Sequence, residues 1–480
     1  MSAPKRLLAN RDTGAGPRAN ETRGSSAAAA GFAEGGKFLS REQSQALAER
    51  IIKLSRADAI QVNIGGGYQT NIRFADNRIC TAGAQSTANV TVQSSFGPKH
   101  AVVQTNDFSD EGLERAVRQA EALAKLAPDD PEAMPLLGPQ QYEDVKTYFD
   151  ATANLTPELR AQVARSAIEP CKAAGDLKAA GFLTAGIGAS AIGNSAGLFA
   201  YQAGTGSNYT LTVRTADGTG SGWAGSDHPD FAQLDYEGVS RQAIEKARAS
   251  RNPVAIEPGR YTVILEPQAV GDLVQLLGFA LDARSADEGR SAFSKEGGTT
   301  KVGDKIVDSR VNLVSDPADP QLLSNVFDFQ GMPAHRQLWI ENGVLKRLTY
   351  GRFWAKKKGV EADPGPISLK LVGGNDSVDD MIKATPRGVL VTRLWYLRQV
   401  DPRTELYTGL TRDGTFLIEN GKISKAIRNM RFNESPIFML NNLEALGRAV
   451  RIAGTESGGD IVMPAIKVHD FNFTSLSEAV

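Results

Sequence analysis

The sequence predicts a two-lobed α+β protein: an N-terminal α+β domain with an antiparallel sheet, then a larger β-rich C-terminal domain. Three observations carry this expectation. Residues 38–127 follow the order helix, several strands, helix. A proline-rich, acidic stretch from Pro128-Asp129-Asp130-Pro131 to Pro139 then interrupts all periodicity. The final third of the chain alternates short apolar runs with Gly and Asn turns. At 480 residues the chain is also longer than one core sustains.

In order, residues 1–37 are Ala, Gly, Ser, Asn and Arg with almost no large apolar side chain, a composition that cannot offset its ordering entropy. They read as a disordered tail, with a targeting presequence around Lys5-Arg6-Leu7-Leu8 as the alternative. Ser40-Arg41-Glu42-Gln43 is a capping box, and Leu47, Ile51 and Leu54 mark the buried stripe of the helix it opens. Ile60, Val62 and Ile64 alternate, Gly65-Gly66-Gly67 is expected to break the run, and Ile72 and Phe74 resume it before an Asp76-Asn77 turn. Val90, Val92 and Ala101-Val102-Val103 add strands. Leu113, Val117, Ala120 and Ala124 face inward from a second helix.

Residues 128–155 read as a connector. Thr156-Pro157 opens a helix with Leu159, Val163 and Ile168 on its apolar side. Residues 156–250 form a strand and helix segment with glycine bends, closing on a helix from Tyr236 to Ala249, and residues 251–480 form the second domain. There, Leu338 to Leu345 and Phe416 to Ile423 each set Asn-Gly between apolar runs, so each is a hairpin. Asn441 to Val450 reads as a last helix and Met463 to Val468 as a strand.

Composition excludes several functions. With 54 basic and 55 acidic residues the net charge is -1, which leaves no electrostatic footprint for nucleic acid or an anionic membrane. No run approaches the roughly 18–20 apolar residues of a membrane span. Cys80 and Cys171 are too few for a disulfide framework, and a reducing cytoplasm is the simplest compartment. His100, His228, His335 and His469 are scattered, none precedes a glutamate, and no pair has ligand spacing. No Gly-x-Ser-x-Gly elbow occurs. Lys356-Lys357-Lys358 reads as a solvated face, and the paired glycines at 297–298 and 373–374 as turns or bulges.

Chemistry points instead to Tyr261–Arg290. Tyr261 to Leu265 is a β-branched strand stopped by Glu266-Pro267. Beyond it Val270, Leu273, Val274, Leu277 and Leu281 recur at helical spacing, so Asp272, Gln275, Phe279 and Asp282 are expected to face a cleft. With Ser291-Ala292-Phe293, Asp328-Phe329-Gln330-Gly331 and Ile340 to Leu345, this order resembles the TldD/PmbA family of bacterial and archaeal peptidases. In its catalytic branch the helix corresponding to Gln268–Asp282 carries His-Glu-x-x-x-His, and a later cysteine completes a zinc site.

Here that helix has neither residue, and no cysteine follows Cys171. The chain therefore resembles the metal-free branch. What the resemblance implies is a non-catalytic subunit, with no cofactor of its own and no catalytic or metal residues, in a heterodimer with a TldD-like zinc-bearing subunit that cuts unfolded peptides. Gln275, Phe279, Arg284, Arg290, Asp328, Gln330 and His335 are the candidates to line the chamber or touch peptide. A peptidase active by itself as a homodimer, or a stand-alone peptide-binding scaffold, are the alternatives.

Overall fold

A computed structural model describes residues 38–454 and 460–477, so the expected tail at 1–37 lies outside the described residues. The chain opens with α1 (Arg41–Leu54), whose Ser40–Gln43 capping box forms as read. A meander of β1 (Ala59–Ala75), β2 (Arg78–Phe96) and β3 (Lys99–Thr105) follows, and α2 (Asp110–Leu126) closes the unit. Residues 128–149 contain no helix or strand. After the short α3 (Asp150–Ala153) the pattern repeats: α4 (Pro157–Ala174), then β4 (Leu177–Asn194), β5 (Phe199–Thr215) and β6 (Ser221–His228), then α5 (Tyr236–Ala249).

Hydrogen bonding joins the two units. The six strands form one sheet in the order β3-β2-β1-β4-β5-β6, antiparallel throughout. The segments that the connector separates along the sequence therefore share a sheet. α1 and α2 bury Ile51, Val62, Val92 and Leu113 over one half, while α4 and α5 bury Phe74, Val163, Leu183 and Val213 over the other.

Gly65–Gly67 does not break β1, which runs straight through them. At Gly67 neighbouring backbone comes too close for a side chain: a Cβ there would lie 2.3 Å from the Ile187 carbonyl oxygen, and across the pair one on Gly186 would lie 2.6 Å from that of Tyr68.

The C-terminal domain begins with β7 (Gly259–Leu265), α6 (Pro267–Val274), α7 (Leu276–Ala280) and α8 (Ala283–Asp287). The short β8 (Ser294–Lys295) and β9 (Thr299–Thr300) pair across the Gly297-Gly298 turn. β10 (Leu313–Ser315), β11 (Gln337–Glu341), β12 (Val344–Leu345), α9 (Arg352–Lys358), β13 (Ser368–Leu371) and α10 (Val378–Lys383) follow. Then come β14 (Arg387–Asp401), β15 (Leu406–Glu419), β16 (Lys422–Ala426), β17 (Met430–Glu434), α11 (Pro436–Asn441), β18 (Leu443–Arg451) and β19 (Asp460–Leu476). β19, β17, β15, β14 and β7 close on themselves, since β7 pairs with both β14 and β19. That ring is a small barrel whose core is aliphatic and aromatic.

Both Asn-Gly hairpins form, with positive φ at Asn342-Gly343 and Asn420-Gly421 as this turn type requires. The expected last helix does not. Leu443–Arg451 is a strand on β19, and the helix lies just before it, where Ser435-Pro436 supplies the cap and the first position. Cys80 is exposed and Cys171 buried, both as free thiols. Among the described residues no helix is long and apolar enough to cross a membrane.

Candidate functional site

The expected long helix at 268–282 is broken into α6 and α7 at Gln275. Every residue from Gln268 to Val274 is buried, so α6 has no solvent face. This corrects the reading of Asp272. Its carboxylate does not face a cleft but turns onto β14, accepting the Leu394 N–H at 3.0 Å and the Gln268 side-chain amide at 2.9 Å. β7 covers β14 only as far as Val391, and a bulge follows. The Asp272 carboxylate thus supplies an acceptor beyond the point where the neighbouring strand ends.

The cleft lies further along. Gln275, Phe279 and Asp282 line a cavity of about 310 Å3, walled opposite by Pro364, Pro366, Ile367 and Ile461. Phe279 is 76% exposed and also borders a second cavity of about 600 Å3 with Arg290, Arg403 and Tyr407. Asp282 caps α8 through the Ser285 N–H and borders a third, of about 930 Å3, between the two domains. There Arg284 pairs with Glu132 of the connector at 2.9 Å and with Glu288 at 3.1 Å, and Gln330 accepts from Arg352 at 3.4 Å. The α7–α8 turn therefore stands where three cavities meet.

Five of the seven candidate residues border this trough: Gln275, Phe279, Arg284, Arg290 and Gln330. Asp328 stands behind it, shaping the turn by accepting the Gln330 and Met332 N–H groups at 2.8 and 2.9 Å, and burial pushes its carboxyl above the usual aspartate value. The exposed Phe329 between them presents its carbonyl to Asn63 at 2.9 Å, tying the loop to β1. His335 sits apart, 4.0 Å from Glu143. The three lysines end α9, with Lys357 and Lys358 over the Trp354 ring at 4.5 and 5.3 Å.

Sequence reasoning missed one charged wall. Between the domains a cavity of about 690 Å3 is floored by the glycine-rich middle of the N-terminal sheet and walled by Asp227, Arg451 and Asp460. Arg451, 8% exposed, reaches Asp227 at 2.9 Å and Asp460 at 2.7 Å. Burial pushes the Asp460 carboxyl up, and Arg451 only partly offsets it. Asp460 also lines the Phe279 cavity, so the two spaces share a wall. Nothing along the chain brings Asp227 of β6 near β18; only the fold does.

A zinc site needs three protein donors around an open position. Among the described residues no group of three or more His, Cys, Asp or Glu side chains gathers to hold a metal. At the helix itself one carboxylate is committed to Leu394 and Gln268, while an amide and a phenyl ring face the cavity. These residues do not fit the ion.

Residues 150–251 match the model of the PmbA/TldA metallopeptidase central domain, and residues 258–475 that of the C-terminal domain. The chain belongs to the TldD/PmbA family. A metalloprotease of Methanothermobacter thermautotrophicus is 27% identical over 236 residues, 45% of this chain and 49% of that protein. A metalloprotease TldD homologue of Buchnera aphidicola is 23% identical over 223 residues, 43% and 45% of the two chains. The chain spans about half the length of the curated relatives it matches.

Among solved structures, TldE of Thermococcus kodakarensis superimposes with a TM-score of 0.77 at 20% identity, covering 89% of this chain and 99% of that one. A candidate DNA gyrase modulator of Thermotoga maritima gives 0.78 at 19%, covering 90% and 100%. At these identities the likeness establishes the TldD/PmbA fold.

Proposed function

We propose that this chain is the non-catalytic half of a TldD/PmbA-type heterodimeric zinc peptidase, closing the reaction chamber and guiding unfolded peptides while a zinc-bearing relative cuts them. The observation that carries the reading is the α6–α7 break. The helix offers Gln275 and Phe279 to the cavity, and its one carboxylate is spent on holding β14. The trough beside it suits an extended chain. An apolar cavity at Phe279 takes a side chain, and past Leu394, whose N–H Asp272 takes, β14 has backbone beyond the reach of β7 with which a peptide strand can pair. Such pairing recognises backbone, hence flexible peptides rather than folded proteins.

Metal analysis and peptide hydrolysis test this together. The chain alone is expected to carry no stoichiometric zinc and to leave an unstructured peptide intact, and a one-to-one mixture with a zinc-bearing relative to form a stable complex that cuts it. Stoichiometric zinc on the chain alone, lost together with hydrolysis on chelation, would overturn the proposal. Within the complex, Phe279→Ala removes an exposed ring without touching the core. Losing ~1.5 kcal/mol of contact, it is expected to raise KM about tenfold with kcat unchanged.

A further inference from the structure

The two helix–meander–helix units of the N-terminal sheet differ in one place. In each, the third strand is short. β3 pairs only with Val90–Phe96 of β2, and β6 only with Ser207–Arg214 of β5. The first half of each middle strand is thus left without an outer neighbour. On β5 the gap is filled by the connector and the second domain: the Thr205 N–H donates to the Thr147 carbonyl at 2.9 Å, and the Val326 N–H to the Gln202 side chain at 2.9 Å.

On β2 the gap stays open. Among the described residues no strand lies beyond Thr81–Asn89, about 30 Å of edge at ~3.4 Å per residue. The edge is nevertheless held in place. Arg160 of α4 donates to the Asn71 carbonyl at 2.8 Å and the Gly83 carbonyl at 2.9 Å, pinning both strands of the hairpin. Register with β1 is unbroken from Thr81 to Ser95.

Natural edges are usually blunted by charge, proline or a bulge. From Thr81 to Asn89 this one has none of these: the bulge of β2 against β1 falls before it, at Cys80, residues 79–98 contain no Asp, Glu, Lys or Arg, and the first proline is Pro98. We propose that Thr81–Asn89 pairs antiparallel with the same edge of a second copy of this chain, across a two-fold axis near Gln85, making the two N-terminal sheets continuous. A two-fold seam sets each side chain against its own counterpart or a near neighbour, so a charged edge would repel itself. Here the residues meeting at the axis are Ala84, Gln85 and Ser86, neutral and small or flexible. The seam needs no zinc-bearing relative and is independent of the function proposed above.

Sedimentation of the full chain tests it. A dimer is expected at micromolar concentration, and Ala84→Lys with Gln85→Lys, both at exposed positions, is expected to weaken it at least tenfold while the melting temperature holds. Gln119→Lys, on the exposed side of α2, should leave it intact. A wild-type chain that stays monomeric, or that dimerises only with a relative, overturns the proposal, as does a dimer indifferent to the two lysines. Should the double variant fail to fold, hydrogen exchange on the unaltered chain decides: protection of the 81–89 amides should rise with concentration, and exchange independent of concentration overturns the seam.

Discussion

Asp272 and the Asp227–Arg451–Asp460 cluster are two answers to the same problem, a carboxylate taken out of water. Asp272, 1% exposed, accepts from two dipoles, the Leu394 amide and the Gln268 side chain. Asp227 and Asp460 are satisfied by a full charge on Arg451. The first lies inside one domain and fixes the course of a bulged strand. The second lies between domains and fixes how they meet. The difference teaches where this chain keeps its charge. Helix α6 is internal scaffolding, whereas the ion cluster borders open space at the domain seam.

The largest effect expected from breaking that contrast is at the seam. Arg451→Met keeps an unbranched apolar stem but leaves two carboxylates without their cation, a loss of about 3 kcal/mol in unfolding free energy. The figure is at the low end for such a cluster because Asp227 and Asp460 retain 24% and 35% exposure. Urea denaturation measures it. A loss below about 1 kcal/mol would mean that the arginine is no more than a surface pair.

Much of the fold is legible in the sequence because its signals are local. Ser40 with Gln43, Thr156 with Pro157, and the two Asn-Gly turns each fix the backbone within a few residues, and each formed as read. Reading failed where distant neighbours decide. Gly65–Gly67 resembles a chain break until Ile187 is found against Gly67. Leu443–Arg451 carries helix-compatible residues, yet β19 takes them as a strand.

The same limit governs the site. Gln275 and Phe279 were found because helical spacing places them on one side of a local element. Asp272 was misassigned because periodicity reveals a stripe and not what covers the opposite face, here β14. Arg451 was missed because its partners lie on β6 and at the start of β19, and no spacing rule links those positions.

On the other side of the contrast, Asp272→Ala takes away the buried acceptor of the Leu394 N–H and of the Gln268 amide. The expected cost is about 2 kcal/mol. Asp272→Asn keeps an oxygen for Leu394 and should cost about half as much. Equal losses in the two variants would mean that the negative charge, and not the acceptor, holds β14, and would erase the distinction from the seam. Urea midpoints of the two variants at neutral pH measure it.

Glu405 gives the finest test, since it is buried beside the Phe279 cavity where, among the described residues, dipoles rather than a cation meet it. It accepts from the Tyr407 hydroxyl at 2.8 Å and the Gln399 amide at 3.2 Å, and burial, only partly offset by these bonds, pushes its carboxyl above the ordinary 4.5. The folded state therefore binds this proton more tightly than the unfolded one. Its contribution is fully present below 4.5 and is lost as pH rises through the raised folded value. Glu405→Gln keeps an acceptor for Tyr407 and removes the charge. It is expected to leave stability at pH 7 unchanged or higher by less than about 1 kcal/mol, and to flatten the slope of stability against pH above 4.5. If the variant instead lost stability at pH 7 by as much as Arg451→Met, dipoles would be holding a charge as firmly as a guanidinium does, and the contrast between helix and seam would fail.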